Sequence, residues 1–161
     1  MKRSPIALLA PALIVLAVAA MAIGLVVSGS SYTAPPAGIP DVGGVIGWGT
    51  PVLRTLTDIA AVVTIGFLLA AVVLDPSGKD GTVSRAGRTD LVRAAVAALV
   101  WSLLALAQSV FVVGNVLGLQ LSEAISPDVL TTYAFDLPTT RALFGMAILA
   151  LVVSAACAAT F

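Results

Sequence analysis

The sequence predicts an all-α, polytopic membrane protein with four transmembrane helices, a cytoplasmic N-terminus and a short outer interfacial helix before the fourth span. Three observations carry this. Of 161 residues, 60% are hydrophobic and 10% charged, against roughly 45–50% and about 25% in an ordinary soluble domain. Four apolar stretches are each long enough to cross a hydrocarbon core of about 30 Å, which takes roughly 20 residues of helix. No segment alternates apolar and polar over about ten residues, as the strands of a membrane barrel do.

Composition also narrows the chemistry. Eight Lys/Arg balance eight Asp/Glu, so no net field attracts a polyanion and nucleic acid is not an expected partner. There is no histidine, which removes the commonest metal ligand and the usual neutral-pH general base. The single cysteine, Cys157, excludes an intrachain disulfide and any Cys–Cys metal motif. No P-loop, dinucleotide fingerprint, hydrolase elbow or metalloprotease helix is present, and Gly43-Gly44 and Gly47-Trp48-Gly49 lack the Lys or acid a phosphate site needs. No catalytic residue and no cofactor is expected in this chain.

The first span, residues 6–27, carries no charge. Lys2 and Arg3 before it and Ser28-Gly29-Ser30-Ser31 after it have the outline of a cleavable leader. The apolar part of a leader is about 7–15 residues long, shorter than this run, so an uncleaved signal anchor is favoured. The second span, 52–74, contains Arg54 and Asp58; the third is 92–115 and the fourth 141–161. With the N-terminus in the cytoplasm, Lys2, Arg3, Lys79, Arg85, Arg88 and Arg93 lie inside and only Arg54 and Arg141 outside, as the positive-inside rule requires.

The connector 75–90 holds Pro76, Gly78, Gly81 and Gly87 among mixed charges and reads as an exposed loop. The outer segment 28–50 is rich in Gly and Pro, so Ala34-Pro35-Pro36 and Asp41-Val42-Gly43-Gly44 are expected to be extended or turning, with Trp48 as an interfacial anchor. Ser126-Pro127-Asp128 is a helix start. Val129, Leu130, Tyr133 and Ala134 then form an apolar stripe, which gives a surface helix over 127–135 stopped by Asp136 and Pro138.

Asp58 is the most informative residue. A carboxylate near mid-span costs roughly 2.5–3.5 kcal/mol on insertion scales and calls for a partner. Arg54, four residues earlier on the same helical face, is one candidate; Arg141 and the third helix are others, and a proton or ion relay is a further reading. The third helix bears Trp101, Gln108 and Asn115 at seven-residue spacing. By counting from span centres, Gln108 and Asp58 fall at similar depth, so an Asp58–Gln108 bond and an Arg54–Asn115 contact are both in reach. These groups read either as polar glue between helices or, with Arg141, as an outer vestibule. Met21 and Met146 fall at that same depth and are weak copper(I) candidates; Cys157 reads as a small buried hydrophobe. Small residues recur at four-residue spacing in Ala20/Gly24/Ser28, Gly66/Ala70, Ala94/Ala98/Ser102 and Ala150/Ser154/Ala158, which permits close helix approach.

The run Gly47-Trp48-Gly49-Thr50-Pro51-Val52-Leu53-Arg54, followed by Thr57-Asp58-Ile59-Ala60-Ala61 and Ile65-Gly66, resembles the second-helix signature of actinobacterial copper-resistance D (CopD-like) membrane proteins. Leu121-Ser122-Glu123, Ser126-Pro127-Asp128-Val129-Leu130 and Thr140-Arg141-Ala142-Leu143 resemble that group's outer loop and the start of its next helix. The resemblance covers the chain from about residue 40. It implies a copper-handling protein of the bacterial plasma membrane, supporting copper uptake or delivery to cytochrome oxidase. In that group the module is commonly fused ahead of a cytochrome c oxidase assembly (CtaG-like) module, so this single bundle reads as the N-terminal piece of a larger protein. Arg54 and Asp58 carry over as family-like positions. Copper ligands do not, and copper is implied for longer relatives instead. The rival reading is a non-catalytic membrane subunit bracing a larger complex, with lipid and other membrane helices as partners.

Overall fold

A computed structural model of the chain describes residues 5–29, 31–74, 84–133 and 135–160, with side chains from residue 14 onward except 74. Every regular element among them is a helix: α1 (Pro5–Val27), α2 (Gly43–Leu69) with a π-helical extension over Ala70–Leu74, α3 (Arg85–Leu117), α4 (Leu121–Ala124), α5 (Pro127–Tyr133) and α6 (Pro138–Ala158). Three are long and apolar enough to cross a membrane: Gly43–Val73, Arg85–Leu117 and Pro138–Ala158. In α1 the described apolar stretch, Ile14–Val27, is shorter than a span. Three of the four expected spans thus correspond to helices of spanning length among the described residues; the first expected span, 6–27, falls on α1, whose side chains before residue 14 lie outside the described residues.

Each spanning helix begins earlier than the hydrophobicity pattern places it, because polar caps and prolines start helices that apolar counting overlooks. Helix α2 starts at Gly43 rather than residue 52. Gly43 takes the left-handed φ of +74°, and its N–H donates to Asp41 Oδ1 at 2.9 Å; Pro51 is carried inside the helix. Helix α3 starts at Arg85 rather than 92. Ser84 is extended and its hydroxyl accepts from the Gly87 N–H at 3.0 Å, a true N-cap. Gly87, expected to break the connector, lies buried in the first turn. Helix α6 starts at Pro138 rather than 141, so the proline expected to stop one helix opens the next. The remaining connector (75–83, with Pro76, Gly78, Lys79 and Gly81) and the cationic flank at Lys2 and Arg3 lie outside the described residues.

A short helix stands where the surface helix is expected: α5 opens on Pro127, ends at Tyr133 rather than residue 135, and buries no residue. Ala134 of its stripe lies outside the described residues. Helix α3 ends at Gly118, whose φ of +70° turns the chain so that the Leu119 N–H reaches back to the Gly114 carbonyl at 2.9 Å.

Helix α3 is the centre of the packing. It lies against α2 on one side and α6 on the other, α2 and α6 do not meet, and among the described residues α1 packs on α2, with Ile14 also facing Ala97, Val100 and Leu104 of α3 across a cleft. The helices form a row, α1–α2–α3–α6, rather than a closed ring. Small side chains make this approach close: Ala94, Ala98 and Ala105 of α3 and Ala150 of α6 are entirely buried. Two hydroxyls then bridge the α3–α6 seam. Ser102 Oγ donates to the Ala147 carbonyl at 3.0 Å, and Ser154 Oγ donates to the Ala95 carbonyl at 2.9 Å. The stripes Ala94/Ala98/Ser102 and Ala150/Ser154 are thus packing faces, whereas Ala20, Gly24, Ser28 and Gly66 are exposed.

Candidate functional site

Antiparallel register fixes the depth of every polar group. Phe111 of α3 stacks over Gly49 of α2, and Ile46 of α2 fits against Gly114 of α3. At the far end, Phe67 and Leu68 pack with Leu91, Ala94 and Ala95, where α6 adds Val153 and the buried Cys157. This register sets Asp58 level with Ser102, and Gln108 level with Val52. Six residues separate the two levels, or about 9 Å at 1.5 Å per residue. Counting from span centres had equated their depths; the early start of α2 and α3 shifts the register and separates them. The Asp58–Gln108 hydrogen bond is not formed.

Nor does the Arg54–Asp58 pair form. Both residues are exposed on α2, and among the described residues neither makes a hydrogen bond or ion pair. Helical side chains lean toward the N-terminus. Arg54 precedes Asp58 and so leans away from it, and this order of charges is the weaker one for an i,i+4 pair. Asp58 instead lines an open groove on α2 with Thr55, Ile59, Val62 and Val63. The Thr55 hydroxyl is spent on the Pro51 carbonyl at 2.9 Å.

The other expected site residues lie elsewhere. Gln108 is buried on α3, its side-chain oxygen without a partner among the described residues, as is the indole N–H of Trp101 one heptad away. Asn115 and Arg141 are exposed. Arg54 and Asp58 share one face of α2, but Gln108, Asn115 and Arg141 do not join them, so the five residues do not line one vestibule. Met21 and Met146 are half-buried on α1 and α6, at opposite edges of the row with α2 and α3 between them. They are not neighbours, and among the described residues no pair of thioethers converges. Among the described residues no group of three or more Cys, Asp or Glu gathers as a metal site.

Two features were missed by sequence reasoning. The first is the tie before α2: Tyr32 donates its hydroxyl to Asp41 Oδ1 at 2.5 Å while its ring lies over Gly47. The hydrogen bond from Tyr32, with that from the Gly43 N–H, holds the Asp41 carboxyl below the usual carboxylate range, and the same bond raises the Tyr32 phenol. A Tyr nine residues before an Asp is too common a spacing to signal this. The second is the ion pair at the start of α3, where Arg93 contacts Asp90 at 2.8 Å and lies 5.9 Å from the centroid of Phe67. Its i,i+3 spacing was visible, hidden by the assignment of residue 90 to a loop.

Long apolar helices that expose valine and leucine outward (Val62 is 69% and Val72 76% exposed) and bridge one another through serine hydroxyls define an integral membrane protein of α-helical type. Residues 39–161 match the model of the copper resistance protein D-like N-terminal domain. The chain belongs to this family. No curated protein and no solved structure matches it.

Proposed function

We propose that this chain is a membrane domain that supports copper uptake, or copper delivery to cytochrome oxidase, in a bacterial plasma membrane. The observation that carries the reading is the family match over residues 39–161; three helices able to span a membrane support it. Within that function the domain acts as a frame. Met21 and Met146 are far apart, Cys157 is packed among Ala94, Ala95 and Val153, and Asp58 has no partner among the described residues. Copper ligands are then supplied by whatever membrane partner the frame holds, and no catalytic step is assigned to the chain. The orientation with six cationic residues inside places Arg54 toward the outer surface.

The test is cellular copper content and oxidase activity in a strain lacking the gene, measured under copper limitation and copper excess. Lowered oxidase activity that excess copper restores supports the proposal. Unchanged copper content with unchanged oxidase activity overturns it. Metal analysis of the purified chain with Cu(I) refines the role: a frame retains no stoichiometric copper, whereas one tightly held ion per chain contradicts that assignment.

The second reading, a subunit bracing a complex unrelated to copper, draws on the outward charges of α2. It predicts loss of an assembled complex without any change in copper tolerance.

A further inference from the structure

The charged face of α2 has no counterpart among the described residues. Asp58 sits level with Ser102, near the middle of α3, on an apolar span. An unpaired carboxylate there costs roughly 2.5–3.5 kcal/mol. Arg54 lies one turn away on the same face, and the face points away from α3, whose contacts use Thr57, Ala60 and Thr64 instead. The described side chains of α1, from Ile14 onward, do not cover it. Ile14 faces Leu56, Ile59 and Val63 of α2 across a cleft that Ala97, Val100 and Leu104 of α3 also line, and Val62 is 69% and Ile65 51% exposed. Gly66 continues the open side, with no atom within 4 Å of where a Cβ would stand.

We propose that this face pairs with the same face of a second copy of the chain, Arg54 of each copy reaching Asp58 of the other. The argument is charge complementarity. A positive and a negative side chain one turn apart make a face that is neutral in sum and complementary to itself under a two-fold axis along the membrane normal. A partner helix with one basic residue satisfies Asp58 and leaves Arg54 unmatched; a second copy satisfies both. Four residues of rise, roughly 6 Å, separate the two levels. The carboxylate leans up toward the arginine level, and the long guanidinium stem spans the remaining distance sideways. Val62 and Ile65 pack below the charges, and Gly66 permits close backbone approach.

The experiment measures energy transfer between donor- and acceptor-labelled full chains in phosphatidylethanolamine/phosphatidylglycerol vesicles as protein is diluted into lipid. Wild type is expected to self-associate. Asp58→Arg and Arg54→Asp, each of which sets like charges opposite each other, should weaken association by roughly 3- to 20-fold, the range of one interhelical polar contact. The double exchange Arg54→Asp/Asp58→Arg should restore it. Asp58→Asn, which inserts more readily than Asp58→Arg, should weaken it in the same direction, and Val62→Cys should cross-link to Val62→Cys. A wild-type chain that stays monomeric overturns the proposal. So does association that ignores the single reversals, or that the double exchange fails to restore, since each assigns the face to a different occupant or to lipid.

Discussion

The two sides of α2 follow opposite rules. Toward α3 a glycine on one helix meets a large side chain on the other. Gly49 makes room for the Phe111 ring, and Ile46 reaches into the space left by Gly114. The polar residues on that side, Thr57 and Thr64, satisfy themselves on their own backbone, donating to the Leu53 and Ala60 carbonyls at 2.8 Å each. Away from α3 the helix carries Arg54 and Asp58 with no such internal partner, above Val62, Ile65 and the open Gly66. The first side packs against α3, whereas the second has no partner among the described residues.

The sharpest way to break this comparison is to fill glycines on both sides. Gly49→Leu drives a side chain into the Phe111 ring, and overpacking of this kind typically costs about 1–3 kcal/mol. Gly66→Leu meets open space and should change the stability of the isolated chain by no more than about 0.5 kcal/mol. Unfolding in mixed micelles by titrated denaturing detergent measures both. Equal losses would mean that the two sides are packed alike.

A smaller effect is expected at the α3–α6 seam. Ser102→Ala removes the bond to the Ala147 carbonyl and should cost about 0.6 kcal/mol, with about 1.7 kcal/mol as the upper end for interhelical bonds in membranes. Thr64→Val, on α2, removes a bond within one helix and should cost less than Ser102→Ala in the same titration.

The last prediction concerns pH. Asp41 is held below its ordinary value in the folded chain, so its contribution is present above the unfolded carboxylate value of about 3.9 and is lost as pH falls through the lowered folded value. Thermal unfolding followed down from pH 6 should show this acid-side loss in wild type. Asp41→Asn should flatten it. Tyr32→Phe removes the bond that chiefly lowers Asp41 and should flatten most of it.

How far all this was legible follows from where the information lies. Membrane character, the helix opening at Pro127 and the tight faces Ala94/Ala98/Ser102 and Ala150/Ser154 are local properties, readable as composition, a proline at a first helical position and four-residue spacing. Helix starts were misplaced because Ser84, Asp41 and Pro138 act through single hydrogen bonds or dihedrals, while apolar counting registers only the lipid-immersed part. Facing directions were unreadable for a physical reason. A helix apolar all round carries no periodic contrast between its lipid side and its protein side, so Ala20/Gly24/Ser28 and Ala94/Ala98/Ser102 look alike in sequence. The vestibule of Arg54, Asp58, Gln108, Asn115 and Arg141 dispersed for the same reason: depth can be counted along a chain, but azimuth depends on which helix lies beside which.

Intrachain disulfide trapping in membranes tests the account most directly, using cysteine pairs in a Cys157→Ala background. Ser102→Cys/Ala147→Cys should close readily within one chain, because α6 lies along α3 at that level, and Asp58→Cys/Gln108→Cys should give no intrachain bond. An intrachain bond between positions 58 and 108 would require α2 to turn and slide along α3, bury the carboxylate against it and contradict the account; failure of 102 and 147 to close would part α6 from α3 at that level and contradict it too.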